Sequence, residues 1–273
     1  MSGTLYVVGT PIGNLGDFSP RGLETLEKVD FICAEDTRVT MKLLNRFEIK
    51  NTLVSYFEHN KFEKGPYIID RLLKGENCAI VTDAGMPAIS DPGEDLVKLC
   101  IKNGIKVEAV PGPVAFATAL AISGMNSRRF TFEGFPPAEK QERKKLFSAL
   151  KNEERTIIFY EAPHKLSNTL KDLADNLGAR ELAIVRELTK IHEEVIKTDL
   201  VSAAEKYADN SLKGELVLII AGAEHSEEKE WTLDEAIKYA LDLVEGGESR
   251  TNAAKIASKE SGYKKGDIYK AII

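Results

Sequence analysis

Residues 79–104 read AIVTDAGMPAISDPGEDLVKLCIKNG, and their order sets the fold class. Ala79–Thr82 is a short apolar run and predicts a buried strand. Asp83–Gly93 breaks it with Gly85, Pro87, Pro92 and Gly93, residues that fix backbone geometry. A helix follows from about Glu94 to Lys102 and stops at Gly104, a residue type that commonly ends helices. Strand, loop and helix in this order predict a ligand-bearing turn, because open α/β sheets bind ligands beyond the carboxyl ends of their strands. The loop offers an acidic side chain, small residues for close approach and free backbone donors. That mix suits a neutral or cationic ligand with ribose hydroxyls better than a polyphosphate.

The same alternation extends in both directions. Thr4–Gly9 (TLYVVG) reads as a buried strand, and Ser19-Pro20 opens a helix with Leu23, Leu26 and Val29 on one stripe. Phe31–Ala34 is a further strand, and Val107–Val110 runs into Pro111-Gly112-Pro113 and an Ala-rich helix, Ala115–Ile122. From about residue 127, Phe130–Gly134 is strand-like, Ala138–Leu150 a charged helix, Thr156–Tyr160 a strand and Lys165–Leu177 a helix closed by Gly178. Leu182–Arg186 and Leu216–Ala221 are further strands. The expectation is two α/β domains, 1–125 and 126–223, with mostly parallel or mixed sheets.

After Gly222 the composition shifts. Glu224, Glu227, Glu228 and Glu230 make an acidic connector, and Thr232-Leu-Asp-Glu235 fits a capping box. Gly246-Gly247 ends that helix. Ser249 or Thr251 can cap a second helix carrying Ala253, Ala254, Ile256 and Ala257, and Lys264–Ile273 reads as a third. Residues 231–273 are thus a small helical module with a helix-turn-helix outline. On pattern alone, a packing or dimerisation tail reads nearly as well.

Composition bounds the rest. At about 150 residues per domain, 273 residues fit about two domains. Hydrophobic residues at 43% and charged residues at 29% exclude disorder along the whole chain. A net charge of −6 argues against a protein coated in basic charge. Cys33, Cys78 and Cys100 are an odd, sparse set, read as small buried hydrophobes in a reducing compartment. The N-terminus has no signal-peptide pattern, and no run approaches the ~18 apolar residues of a membrane span. The expected location is the cytoplasm.

Several chemistries are disfavoured. Gly9-Thr-Pro-Ile-Gly13-Asn-Leu-Gly16 matches neither G-x-G-x-x-G nor G-x-x-x-x-G-K-[ST], so it is neither a dinucleotide fingerprint nor a P-loop. His59, His164, His192 and His225 lack metal-ligand spacing, so no metal is expected. Ser90 has no adjacent His and no nucleophile-elbow pattern.

Taken in order, the blocks LYVVGTPIGNLGD, AEDTR (34–38), TDAGMPAISDPG, VPGPVA, FEGFPP (132–137), FYEAPHKL (159–166), RELTK (186–190) and GELVLIIAG (214–222) carry a specific likeness. The set resembles the ribosomal small-subunit RNA 2′-O-ribose cytidine methyltransferase family of the tetrapyrrole-methylase superfamily. SRTNAAKIASKESGYKKGDIYKAI resembles that family's C-terminal helix-turn-helix. The resemblance implies two α/β/α domains with S-adenosylmethionine in the cleft between them, and a homodimer. Its cofactor contacts fall on Pro11 and Ile12, on Asp83, Gly85 and Met86, on Val114 and Ala115, and near Tyr160, Leu188 and Leu216. Met86 stands where the family commonly has Thr. The alternative on the same fold is a tetrapyrrole (porphyrinoid) C-methyltransferase. A third reading is a ligand-sensing regulator that binds DNA through the terminal helices.

Methylating a ribose hydroxyl calls for alignment and for a base near its proton. Glu35, Asp36, Glu161, Glu187 and Lys190 are candidate bases or orienters, and Arg38 and Arg186 suit a phosphodiester. Glu35, Asp36, Arg38 and Glu187 rank first, although Asp36 also reads as the cap of a helix over residues 37–47. Binding RNA needs positive charge. Residues 126–151 carry seven basic and three acidic residues, and Arg128, Arg129, Arg143, Lys144 and Lys145 are the expected RNA contacts. Residues 232–273 carry seven of each sign, so the helical module is neutral.

Overall fold

The computed structural model describes residues 2–91, 93–209, 212–224 and 231–273. Pro92, His225 and the connector residues Glu227, Glu228 and Glu230 lie outside them. The chain forms two compact units, 1–223 and 224–273.

The first half of unit 1 is built on Thr4–Val8 (β1), which buries Leu5, Val7 and Val8. Ser19 caps Pro20–Lys28 (α1) by accepting the Gly22 N–H. Phe31–Ala34 (β2) is buried at every position, as expected of a strand covered on both faces. Thr37–Arg46 (α2), Leu53–Ser55 (β3) and Lys61–Leu73 (α3) follow. Cys78–Val81 (β4), Gly93–Lys102 (α4), Lys106–Val110 (β5) and Ala115–Ser123 (α5) complete the half. The five strands are all parallel, in the order β3-β2-β4-β1-β5. Because β4, β1 and β5 are adjacent and parallel, the loops after them open at the same sheet edge.

The second half contains Phe130–Phe132 (β6), Lys140–Ala149 (α6), Thr156–Glu161 (β7), Leu166–Leu177 (α7), Glu181–Arg186 (β8), Glu194–Asp199 (β9), Leu200–Lys206 (α8) and Leu216–Ile220 (β10). Its sheet runs β6-β7-β10-β8-β9, with β6 and β7 parallel and the other pairs antiparallel. Side chains alternate along β7 as the pleat requires. Ile157 and Phe159 join the core under α6, α7 and α8. Ile158 meets Ile12, Leu120, Leu188 and Val217 in a core shared by the two halves, with Tyr160 packed against it.

The elements absent from the sequence reading have physical reasons. α3 contains Gly65 and Pro66, residues that argue against a helix interior. β3 is three half-buried residues. β9 lies at a sheet edge with no fully buried residue. Cys33, Cys78 and Cys100 are buried and free, with the Cys33 and Cys78 sulfurs 3.4 Å apart.

Unit 2 holds Leu233–Glu245 (α9), Arg250–Ser261 (α10) and Lys265–Ala271 (α11). The Thr232/Glu235 capping box starts α9, and Ser249 caps α10. Ala236, Ala240, Ala253, Ala254, Ala257 and Ile268 form the core of this unit. Small side chains there let the helices approach closely.

Candidate active site

Three loops meet at the carboxyl edge of the parallel sheet. Thr10 N–H donates to the Gly85 carbonyl at 2.9 Å, and Gly85 N–H donates to the Thr10 carbonyl at 3.1 Å. The Thr10 hydroxyl, almost fully buried, donates to the Thr82 carbonyl at 3.2 Å. This stitches the loop after β1 to the loop after β4. The loop after β5 is held as tightly: a Cβ on Gly112 would lie 2.7 Å from the Gly9 backbone, so these two glycines permit an approach no side chain would. The first loop also reaches the second half. A Cβ on Gly13 would lie 3.0 Å from the Leu188 carbonyl and closer to the Thr189 and Lys190 side chains.

Between the halves lies a cavity of about 490 Å³. The first half supplies Ile12, Asp83, Gly85, Met86, Val114 and Ala115, and the second supplies Tyr160, Leu188 and Leu216. Every expected cofactor position therefore lies in the wall except Pro11, which is next to it in the chain. Among the described residues the wall carries five carboxylates, Glu35, Asp83, Asp91, Glu161 and Glu215, and no Lys, Arg or His. Such a surface favours a cation and repels a polyphosphate.

Each acid is placed differently. Burial pushes the Asp83 carboxyl above the usual range, partly offset by the Asp36 N–H, which donates to its Oδ1 at 3.1 Å. Burial also raises Asp91, although its Oδ1 accepts the Ala88 and Gly93 N–H groups at 2.9 and 2.8 Å. The Thr82 hydroxyl donates to Glu35 Oε2 at 2.7 Å. Glu161 is 3% exposed. Its Oε1 accepts the Ala162 N–H at 2.8 Å, and its Oε2 is buried with no hydrogen-bond partner. Around Asp83 the backbone is held in uncommon conformations: φ is +86° at Gly85 and +66° at both Ala88 and Ser90. Left-handed non-glycine residues cost energy and cluster at ligand sites.

The other expected site residues lie elsewhere. Asp36 caps α2, and Arg38 donates to both its oxygens, at 3.0 and 2.6 Å. This pair holds the Asp36 carboxyl at about 2. Neither residue is in the wall. Glu187 is likewise outside it. It accepts from Lys190 and from the Glu215 N–H, which lower its carboxyl pKa. Arg128, Arg129, Lys144 and Lys145 are exposed. Arg143 is a correction: its side chain is 11% exposed and paired with Asp172 at 2.5 Å, and its Nη1 donates to the Pro137 and Ala138 carbonyls. It stands one helical turn before Phe147 on the buried stripe of α6, so it serves the core and not an RNA surface.

Several wall residues were not singled out from sequence, Phe135, Ile89 and Glu215 among them. Phe135, 60% exposed, sits 5.4 Å ring to ring from Tyr160, and Ile89 is also largely exposed. The FEGFPP and DAGMPAISDPG blocks contain them, but exposure at a cavity mouth is not readable from pattern. Among the described residues, no group of three or more His, Cys, Asp or Glu could hold a metal, and no helix is long and apolar enough to cross a membrane.

Residues 4–204 match the family model described as Tetrapyrrole (Corrin/Porphyrin) Methylases. A Synechocystis protein named ribosomal RNA small subunit methyltransferase I is 42% identical over 98% of this chain and 96% of its own length. Proteins of the same name from Halalkalibacterium halodurans and Thermotoga maritima are 44% and 46% identical. The former alignment covers 98% of this chain and 93% of the relative, the latter 81% and 100%. In fold, the chain is similar to cobalt precorrin-4 methyltransferase (TM-score 0.59, 17% identity, 80% of this chain and 94% of that one). It is also similar to diphthine synthase (TM-score 0.59, 13% identity, 80% and 90%).

Proposed function

The chain belongs to the tetrapyrrole methylase family, and we propose that it is an S-adenosylmethionine-dependent methyltransferase acting on small-subunit ribosomal RNA, at the ribose 2′-hydroxyl of a cytidine. The single observation that carries the cofactor assignment is the wall itself: an apolar cleft with, among the described residues, five carboxylates and no basic side chain. Its volume of about 490 Å³ lies within the range usual for small-molecule sites, roughly 300–1,000 Å³. A nucleoside bearing a sulfonium and an ammonium fits this charge; a nucleoside polyphosphate does not.

When bound, S-adenosylmethionine supplies a methyl group activated by a positively charged sulfur. Ile12, Val114, Ala115, Leu188 and Leu216 would enclose its apolar parts, with Met86 beside them. Asp83 would answer its positive charge or ribose hydroxyls, and the Gly85 region would approach closely because no side chain intervenes. Tyr160, hydrogen-bonded to the Phe116 N–H, keeps α5 against the second sheet and so fixes the cleft width. The chain's task is then to exclude water and align the hydroxyl, which supplies much of the rate in such transfers.

Exposed Arg128, Arg129, Lys144 and Lys145 would meet RNA phosphates. A homodimer in the cytoplasm, acting on RNA within an assembled small subunit, extends the same reading and rests on the sequence resemblance. The test is labelled methyl transfer from S-adenosylmethionine to immature small subunits, naked ribosomal RNA or a porphyrinoid, followed by nucleoside mass analysis. Label recovered as 2′-O-methylcytidine supports the reading. Label only in the porphyrinoid, or none, removes it.

A further inference from the structure

We propose that Glu161 is a catalytic residue that accepts the hydrogen of the ribose hydroxyl to be methylated; this rests on the methyltransferase reading above. The starting point is an imbalance within one carboxylate. Oε1 accepts the Ala162 N–H at 2.8 Å. Oε2 is buried and receives no hydrogen bond, although Glu161 lines the cavity. A buried carboxylate oxygen without a donor is costly, because water has been removed and nothing replaces it. A fold keeps such a group where a ligand supplies the missing donor.

The sheet geometry indicates which ligand. Tyr160 packs on the face of β7 that meets Ile12 and Ala115, from two of the loops assigned to the cofactor. Glu161 follows Ile157 and Phe159 on the opposite face, directly across from Leu216. Its neighbours in the cavity wall, Ala162, Pro163, Glu215 and Leu216, all come from the second half. Glu161 thus stands on the face of β7 opposite Tyr160 and beside Leu216, in the part of the wall that the second half supplies. The missing donor is assigned to the substrate, and the cofactor Kd of the variant below distinguishes it from a cofactor donor. A carboxylate has only acceptor oxygens, so it selects a hydroxyl over a carbonyl or phosphate.

The other wall carboxylates are less suited: Glu215 is exposed and its Oε2 already accepts from Lys190 at 3.0 Å. Glu35 Oε2 already accepts from Thr82, and Asp91 Oδ1 is held by two backbone N–H groups. Asp83 Oδ1 is held by Asp36 and belongs to the cofactor loops. In the transfer, the hydroxyl O–H bond breaks and its proton moves to Glu161 Oε2. An oxygen lone pair forms the new bond to the methyl carbon, and the pair of the broken carbon–sulfur bond stays on sulfur. The proton then leaves to solvent.

Glu161→Gln tests this, because it keeps the Oε1 acceptor for Ala162 and replaces the free acceptor with a donor. Three readouts are taken on the full chain: the calorimetric Kd for S-adenosylmethionine, steady-state transfer to small subunits, and the melting temperature. The expected result is a cofactor Kd within about twofold of the parent and a kcat lowered by about 10²–10⁴-fold, the usual contribution of a positioned acid or base. KM for the subunit should change much less than kcat, and melting should be unchanged or raised, since Oε2 has no hydrogen bond to lose. A merely structural Glu161 would instead lower the melting temperature and leave kcat near the parent value. The proposal is overturned by kcat within about threefold of the parent, or by a tenfold loss of cofactor affinity, which would make Glu161 a cofactor ligand. Absence of transfer by the parent protein itself would overturn the methyltransferase reading, and the proposal with it.

Discussion

The Tyr160 phenol oxygen accepts the Phe116 N–H at 3.1 Å, tying the end of β7 in the second sheet to the first turn of α5 in the first half. The bond satisfies one of the amide donors that every helix leaves free at its start. Phe116 also stacks on Phe132, with centroids 4.4 Å apart, and Phe132 meets Tyr160 edge-on at 4.8 Å. This joint sets the spacing of the two walls of the cleft.

Tyr160→Phe removes the acceptor and leaves the ring. Leaving a partly buried N–H unpaired should cost about 1–3 kcal/mol. Chemical denaturation should report that loss, and cofactor affinity should fall because α5 carries Ala115 in the wall. Unchanged stability and affinity would mean that the aromatic packing alone holds the joint.

The proposed contact of Asp83 with the cofactor predicts that uptake depends on pH. Its folded carboxyl is raised by burial, so it keeps its proton to higher pH than a free aspartate, and the fold loses stability as pH rises through that raised value. A cation in the cleft favours the ionised form. Affinity for S-adenosylmethionine should therefore grow as pH rises past the ordinary aspartate value of about 3.9, with protons released on binding in that window. Calorimetry in two buffers of different ionisation heat measures the release. Asp83→Asn should abolish it.

Gly112→Ala places a Cβ 2.7 Å from the Gly9 backbone. The two loops must separate, at about 1–3 kcal/mol for such overpacking. Cofactor affinity should drop at least tenfold, an order-of-magnitude expectation from the same displacement. Gly266→Ala is the control, because nothing lies within 4 Å of its Cβ position. Equal behaviour of the two variants would refute the close approach.

Arg143 and its neighbours on α6 separate by burial. Arg143→Met leaves Asp172 buried without its guanidinium and should destabilise the fold by about 3–5 kcal/mol, whereas removing both charges should cost less. Lys144→Glu with Lys145→Glu should leave melting near the parent. The same pair should weaken small-subunit binding and flatten its salt dependence. Filter binding across a salt series checks this.

Much of the fold was legible because each signal was local. Ser19-Pro20, the Thr232/Glu235 box and Gly178 marked helix ends, and the apolar runs at β1, β2 and β4 marked buried strands. α3 was hidden by Gly65-Pro66, which it tolerates because tertiary packing of Ile68, Ile69 and Leu72 outweighs local propensity. In the candidate site, the family resemblance pointed to Ile12, Asp83 and Ala115, and all three line the cavity, where loops after adjacent parallel strands converge. Pattern does not tell which of three consecutive cations turns inward, and Arg143 was misplaced for that reason. Its partner Asp172 lies 29 positions away. Nor does pattern show that one oxygen of Glu161 lacks a donor, because that depends on what packs around it.

Titrating the protein with S-adenosylmethionine by calorimetry tests the cleft most directly. One site per chain is expected, with affinity lost in Gly112→Ala and its pH linkage lost in Asp83→Asn. No heat of binding, or binding indifferent to both substitutions, would contradict the assignment of this acid-lined cleft to a methyl-donating cation.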